Sequence, residues 1–516
     1  MALATDWTQG YVADLGYTHG FYRELTPTML SFVALAAGQA SLDATTPFRF
    51  CELGCGQGVS MNVLAAANPH AEFYATDFNP SQVAGARALA AEAGLTNLSF
   101  FDTPFAAFAN EPGLPVEFDV IALHGIYSWV GAENRQAIVD FIARKLKVGG
   151  LVYVSYNALP GWSGSAPLRQ LMYLHGKATG GPTGGRLEPA LAFAERLINA
   201  NAAFFRVNPG LKERFERLKG QPRNYLAHEY FNDAWSLFYH SDVAADLSAA
   251  KLTFLGSAAL LEGVDGINLT EEQRTILAET QDPTQREVLK DYMFNQQFRR
   301  DVFVKGPLPV PPRIAREAWL AQRFALSTPR PDVTLTVRGA LGDANLQADV
   351  YNPIIEALAD GPKTLQALVA DKAIDALGSA RIIEALTVLI GAGHVQPCLP
   401  TKDEGKRAKS TRAFNAAVCE RARDNADLSY LASPVTGGGI TVDRIQQLFL
   451  LAISQNAKQP DDWAKFAWTA LSTAGQRMVK DGKTLATPEE NVAELAARAS
   501  TFAEKTLPVL KSLQVA

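Results

Sequence analysis

The sequence predicts an α/β protein built on a doubly wound, mostly parallel sheet, with a mainly helical region after it. Three observations carry that expectation. Strand-like and helix-like segments alternate from residue 48 to residue 156, glycines crowd the first strand-to-helix turn, and polar residues stand at successive strand ends. The first strand runs from Phe48-Arg49-Phe50 into Cys51-Glu52-Leu53-Gly54-Cys55-Gly56-Gln57-Gly58. Alternating glycines let a backbone approach a nucleotide-type cofactor, but Val59 stands where a dinucleotide fingerprint needs its third glycine. Glu52, two positions before Gly54, would repel a pyrophosphate; it suits a cofactor that carries an ammonium and a sulfonium.

The second strand, residues 71–77, ends in Asp77, about 20 residues past the glycine turn, where a carboxylate accepts from ribose hydroxyls. Asn79 and Pro80 supply an N-cap and a first-turn proline, and Gly94 closes the helix that follows. A third strand, 98–101, ends at Asp102 and a fourth, 117–123, at His124. Val139, Ile142 and Leu146 mark one helix face, Gly149-Gly150 stops that helix, and a fifth strand, 151–156, reaches Asn157. Ligands bind outside the carboxyl ends of parallel strands, so Gly54, Asp77, Asp102, His124 and Asn157 line one edge. The competing reading makes these ordinary turn residues of an unrelated α/β sheet.

At 516 residues the chain is long for one core, so two or three domains are expected. A hydrophobic fraction of 47% and a charged fraction of 20% describe an ordinary soluble protein, and a net charge of −5 argues against a protein that grips nucleic acid chiefly by its phosphates. No basic region precedes an apolar run at the N-terminus, and no apolar stretch approaches the ~20 residues that span a bilayer, so a cytoplasmic protein without membrane insertion is expected. The four cysteines form no Cys-x-x-Cys pair and the seven histidines show no ligand spacing; free thiols and no metal are expected.

Residues 1–45 read as an N-terminal helical lid carrying Tyr11, Tyr17, Phe21 and Tyr22, either closing over the cofactor or simply docking a helix. After the fifth strand, Ala158-Leu159-Pro160-Gly161-Trp162 makes a rigid turn and residues 180–185 a glycine-rich mobile loop. A helical insertion at about 180–297 precedes the last strand, 298–304, and a sixth strand lies at 251–255, which sets the catalytic domain at 46–305. Prolines at 307, 309, 311 and 312 mark a linker. Three short amphipathic segments at 351–358, 365–368 and 380–390, then Gly391-Ala392-Gly393-His394-Val395 as a wing, suggest a winged-helix-like unit over 311–400, which docks protein or binds DNA. The basic run 402–412 reads as a solvated linker opening a helical domain, 401–516.

The glycine turn with Glu52 and Asp77 resembles class I S-adenosylmethionine-dependent methyltransferases, whose sheet is Rossmann-like and seven-stranded. His124-Gly125-Ile126-Tyr127-Ser128-Trp129-Val130, Tyr156-Asn157-Ala158-Leu159-Pro160-Gly161-Trp162 and Phe21-Tyr22-Arg23-Glu24-Leu25-Thr26-Pro27 further resemble bacterial methyltransferases with a methyltransferase regulatory domain, among them the rickettsial outer-membrane-protein lysine methyltransferases. The likeness covers residues 10 to 305 well and the rest only by arrangement. It implies S-adenosyl-L-methionine as cofactor, held by Glu52, Gly54, Cys55, Gly56 and Asp77. Phe78 would pack on the adenine, Asp102 would accept from its amino group with Thr103 beside it, and Tyr17, Tyr22 and His124 would close the site. The implied partner is a protein substrate, such as a surface or outer-membrane protein before export; nucleic acid is not favoured and the sequence leaves the oligomeric state open.

Methyl transfer needs an uncharged nucleophile held in line with carbon and sulfur, so positioning carries most of the rate. A lysine amine, with a reference pKa near 10.4, costs roughly 4 to 5 kcal/mol to hold neutral at pH 7. Tyr127, Trp129, Tyr156 and Trp162 are the candidate aromatic pocket that lowers this cost, with Asn157 accepting from the amine and His124 either a base or a cofactor contact. Trp129 and Trp162 have a second reading as packing residues between insertion and sheet. Three functions follow: a protein methyltransferase on lysine, a methyltransferase of a small molecule or glycan, and a non-enzymatic cofactor sensor that regulates through the winged helix.

Overall fold

The computed structural model describes residue 8, residues 10–40 and residues 42–516; the parts of the expected lid at residues 1–7, 9 and 41 lie outside the described residues. A seven-stranded sheet organises the first 305 residues, with β1 at Arg49–Leu53, β2 at Glu72–Thr76, β3 at Leu98–Phe101, β4 at Phe118–Leu123, β5 at Leu146–Asn157, β6 at Leu252–Ser257 and β7 at Phe298–Lys305. Their order is β3-β2-β1-β4-β5-β7-β6. The five N-terminal strands are parallel, and β7 is antiparallel to both β5 and β6. The order reverses beside β1, which opens a crevice at the carboxyl ends of β1 and β4, the place where such sheets bind ligands.

Side chains alternate across each strand, and the two faces fill different cores. Phe50, Phe73, Val120 and Tyr153 pack with helix α1, Pro27–Ala36, and with Phe324, Ile354 and Leu386 from far along the chain. Cys51, Ile121, Val152, Val154 and Phe303 pack on the other face against Ile138, Phe141 and Val243. Helices α2, Val59–Ala67, and α3, Pro80–Glu92, follow β1 and β2; Pro80 opens α3 and the Asn79 side chain caps it by accepting from Ser81 N–H.

Several expectations need correction. Strand β5 begins at Leu146 because Gly149, at φ 77°, and Gly150 lie within it; a bulge absorbs the extra residues, so the pair does not stop a helix. The N-terminal lid is not helical over the site: residues 10–22 run as irregular chain, and α1 is a buried core helix. The insertion is helical from Ala166 onward, and residues 180–185 give only a two-glycine turn before the helix Thr183–Asn199. Leu168, Met172, Leu187, Phe215 and Leu226 form its own core, joined by Val12. The irregular chain is tied there too: Asp233 N–H donates to Gly10 O at 2.9 Å, and Val12 N–H to Asn232 Oδ1 at 2.8 Å.

After β7 the prolines do not separate two cores, because Pro312–Ala321 is a helix whose Trp319 packs edge-on to Phe32 of α1 at 5.5 Å. Three helices, Ala348–Ala359, Leu365–Val369 and Gly378–Gly391, accompany a three-stranded sheet of Lys363–Thr364, Arg323–Leu326 and Val395–Cys398. Residues 391–395 are not a wing: they end a helix and enter a strand that pairs back onto Arg323–Leu326. The basic run is no linker either, since it forms the helix Glu404–Arg421. Arg407 is buried there and donates to three carbonyls, those of Pro434, Lys402 and Pro400. Val63 and Ala66 of α2 and Leu89 of α3 share a core with Phe414, Val418, Leu448 and Leu513. No described helix is long and apolar enough to cross a membrane.

Candidate active site

The turn after β1 takes a path that side chains resist. Gly54, Gly56 and Gly58 have φ of 76°, 53° and 65°, in the left-handed region. A Cβ on Gly54 would stand 2.3 Å from Ile126, and one on Gly58 2.6 Å from the Ala86 Cβ. Gly54 and Cys55 N–H groups donate to Thr76 O at 2.8 and 3.1 Å, which locks the turn to the end of β2. Asp77 then receives Gly56 N–H on Oδ2 at 2.9 Å and Asn79 N–H on Oδ1 at 3.0 Å. Burial raises its pKa while these two bonds oppose the rise.

Glu52 is the most perturbed acid of the turn. Burial first, then the Asp77 charge, pushes it up to about 8, and its Oε2 is buried without a hydrogen-bond partner among the described residues. A second buried carboxylate beside Asp77 is costly unless a cation joins them. An amino-acid ammonium meets that need, a glycine cradle admits a close backbone approach, and Asp77 keeps lone pairs for hydroxyls, so these residues fit S-adenosylmethionine.

One cavity runs over this turn, lined by Glu52, Gly54, Cys55, Gly56, Asp77 and Phe78, and roofed by Tyr11, Tyr17 and Tyr22 of the irregular N-terminal chain. A second cavity, of about 650 Å³, lies between the sheet edge and the insertion. Tyr17, Thr18, Tyr22, His124 and Gly125 belong to the walls of both. Tyr22 stacks on His124 with centroids 3.6 Å apart, and His124 Nδ1 sits 2.9 Å from the Tyr153 hydroxyl. Burial, then the Arg300 charge, pulls His124 down to about 3, so its ring is neutral.

The structure gathers some of the sequence's candidates and disperses others. Trp129, Asn157 and Trp162 line the second cavity, and Asn157 Nδ2 is buried without a hydrogen-bond partner among the described residues. Tyr127 and Tyr156 do not wall it, which corrects the expected aromatic pocket. Both are fully buried; their hydroxyls donate to Asp246 and Asp301 at 2.7 Å each. Tyr156 shares the core of Val152 and Val154 because alternation along β5 turns it to that face. Asp102 lies outside both cavities, exposed and 3.9 Å from Arg87, so the expected contact with an adenine amino group finds no support there. Thr103 lines a neighbouring cavity with Tyr11, Phe78 and Phe105, and its hydroxyl donates to Glu111 at 2.8 Å.

Family models match two stretches: a methyltransferase domain at residues 51–152, and a domain described as a predicted methyltransferase regulatory domain at residues 222–305. An uncharacterized protein of Synechocystis is 44% identical over 509 residues, covering 99% of each chain. An uncharacterized protein of Rickettsia prowazekii is 24% identical over 265 residues, 51% of this chain and 47% of that one. PKMT2 from Rickettsia typhi, in complex with AdoHcy, shares the fold at a TM-score of 0.69 and 18% identity, covering 94% of this chain and 98% of that one. The chain belongs to the class I S-adenosylmethionine-dependent methyltransferases with a methyltransferase regulatory domain.

In this methyltransferase the regulatory-domain stretch supplies cavity residues that sequence reasoning missed. Tyr225, Glu229 and Tyr230 come from the helix Arg223–Phe231, and Phe298 and Arg300 from β7. Arg214 and Arg217 come from the helix Gly210–Lys219 just before it. The one local signal was Tyr225 and Glu229 at i, i+4, a spacing that puts both on one helix face. Nothing in the sequence says which face meets the sheet.

Proposed function

We propose that this methyltransferase modifies lysine side chains of a protein, with the cofactor in the first cavity and the acceptor amine entering through the second. The observation that carries this reading is the shared wall of Tyr17, Tyr22, His124 and Gly125, where a cofactor chamber meets a separate, aromatic-lined chamber. Glu52 pairs with the cofactor's ammonium, Gly54, Cys55 and Gly56 lie along its amino-acid end, Asp77 accepts from the ribose hydroxyls, and Phe78 packs on the adenine. When bound, S-adenosylmethionine supplies an electrophilic methyl carried on a sulfonium.

The protein's part is positioning and desolvation. Tyr22 and the neutral His124 ring form an aromatic wall beside the transfer point; with its pKa pulled down to about 3, His124 is too weak a base to take an ammonium proton. Trp129 and Trp162 exclude water from the acceptor side, and Asn157 orients the incoming group. The resemblance to the rickettsial lysine methyltransferases supports lysine as acceptor and a bacterial protein as substrate. The second cavity, at about 650 Å³, also has the size of a small-ligand pocket, which keeps a small-molecule or glycan acceptor as the alternative. Incubation with methyl-labelled cofactor and whole-cell lysate separates the two. Label in protein bands that yields methyl-lysine on hydrolysis supports the proposal, and label confined to the small-molecule fraction overturns it.

A further inference from the structure

Glu229 has no part in the cofactor site. It lies on the helix Arg223–Phe231, is 8% exposed, and points its carboxylate chemistry into the acceptor cavity that Tyr17, Tyr22 and His124 also wall. Tyr22 walls both chambers, with Glu52 lining one and Glu229 lining the other. We infer that Glu229 is the acceptor-side catalytic carboxylate: it receives the substrate ammonium and takes its proton before transfer. The inference rests on the amine-acceptor reading above.

The surroundings favour a cation at this carboxylate. Tyr17 and Tyr22 of the N-terminal chain and Tyr225 and Tyr230 of its own helix line the same cavity. Aromatic rings and a buried carboxylate make a site for an ammonium. His228, beside it in sequence, is neutral at pH 7, because burial lowers it, and makes its contacts at Leu15 O and Tyr17. The one cation that acts on Glu229 is Arg169, among the described groups, and that guanidinium is occupied by the carbonyls of Glu229 and Asn232 and by the Trp235 ring at 4.5 Å. The other arginines of the cavity are engaged or turned outward. Arg300 reaches Glu24 at 3.6 Å, Arg214 lies over Trp162 at 4.7 Å, and Arg217 is exposed.

Burial, opposed by Arg169, holds the Glu229 carboxyl up to about 8, far closer to an amine than an ordinary carboxylate. The step is a simple exchange: one proton leaves the ammonium nitrogen for a Glu229 oxygen, and the nitrogen keeps the lone pair with which it attacks the methyl. The acid then returns its proton to solvent through the open cavity. The productive form has Glu229 ionised and the free amine protonated, so kcat/KM rises with pH and levels near 8. Without the carboxylate the enzyme needs an amine already neutral in solution, and the rise continues toward pH 10.

The test uses the full chain and two readouts. Thermal melts with n-pentylammonium, the lysine side-chain cation, and with pentanoate at equal ionic strength read binding without turnover. Pentylammonium should raise Tm of the native protein and leave Glu229→Gln unmoved. Stabilisation by pentylammonium that survives Glu229→Gln, or stabilisation by pentanoate alone, overturns the inference. Turnover of N-acetyl-lysinamide at pH 7.5 should fall about 100-fold in Glu229→Gln, the scale of general-base effects. Glu229→Asp should keep the levelling of the pH profile, and identical profiles for native protein and Glu229→Gln overturn the proton transfer. If pentylammonium binds through Glu229 while lysine acceptors stay unmethylated, the ammonium site stands and the lysine reading falls. A melt and a cofactor titration like the native protein's show that Glu229→Gln is folded.

Discussion

Along the sheet edge, the groups that shape the site are tied to one another over short stretches of chain, as when Gly56 N–H meets Asp77 across 21 residues. The C-terminal third meets the catalytic half over distances more than ten times longer. Asn68 donates to Gly437 O across 369 residues, and the Thr28 hydroxyl to Thr436 O across 408. The two regions also differ in what holds them. The edge is a set of directed hydrogen bonds around left-handed glycines; the C-terminal interface is apolar area, Val63 and Leu89 against Phe414 and Val418, with Phe324 and Ile354 packed into the core on the same side of the sheet. Local geometry therefore makes the cofactor turn, and remote packing covers the sheet and helices that carry it.

Cutting the chain after Gly306 is the severest way to break that comparison. If residues 311–516 were an appended docking module, the fragment would melt cooperatively and bind cofactor. The shared cores predict otherwise. Each fully buried large apolar side chain contributes roughly 1.5 to 3 kcal/mol, and removing the residues that cover α2, α3 and α1 exposes many, against a total stability of about 5 to 15 kcal/mol. The expected result is an aggregating fragment without a cooperative transition by circular dichroism. A soluble fragment with a sharp melt would show that the two regions are separable domains.

This contrast also explains which parts could be read from sequence. Glycine spacing, an acid two residues before it, and Asp77 at the next strand end are local rules, so the turn and five strand ends were legible. The sixth and seventh strands were legible by alternation, although β6 and β7 lie apart in sequence. Tyr156 was misread because its pattern fixes neither the face on which the site lies nor that Asp301 would take its hydroxyl. Glu229 and Arg214 were missed because an insertion helix brings them to the sheet edge through tertiary packing alone. Arg407 was read as solvated because charge composition says nothing about three carbonyls converging on one guanidinium.

Asp77→Ala tests the edge itself. Charge-assisted bonds to ribose hydroxyls contribute roughly 1.5 to 3 kcal/mol each, so calorimetry should record at least about a tenfold loss of S-adenosylmethionine affinity. The melt should shift as well, since Gly56 N–H and Asn79 N–H lose their acceptor. Affinity equal to the native protein's would remove Asp77 from the cofactor site.

Glu52→Gln gives a smaller and pH-dependent change. Burial lifts the Glu52 carboxyl from 4.5 to about 8 in the fold, so the folded state binds the extra proton between those values. A raised acid of this kind contributes its stability in full below the unfolded pKa and loses it as pH climbs through the folded one. The cofactor-free native protein should therefore lose stability from about pH 5 to pH 8, and Glu52→Gln should lose less, with the slope that remains coming from other raised carboxyls such as Glu229 and Asp291. Urea titrations at pH 5, 6.5 and 8 measure the gap between the two proteins. A gap that stays constant over that range would show that Glu52 titrates alike in both states.

The smallest expected effect bears on the other side of the comparison, whether charge or apolar area fastens the C-terminal third. Arg421, at the end of the helix Glu404–Arg421, reaches both oxygens of Glu92 on α3 at 2.6 and 2.8 Å. The pair spans the two regions, and its guanidinium lowers the Glu92 pKa. Both side chains are partly solvated, 30% and 49% exposed, so water and salt screen the attraction. Exposed pairs contribute about 0 to 1 kcal/mol, and Arg421→Ala should cost no more than that and less still in 0.5 M salt. Phe414→Ala, in the same interface and 1% exposed, should cost about 3 to 5 kcal/mol with little dependence on salt. If the two variants cost the same, or if salt weakens the native protein as much as Phe414→Ala does, the interface is held by charge and the contrast drawn between edge and cover fails.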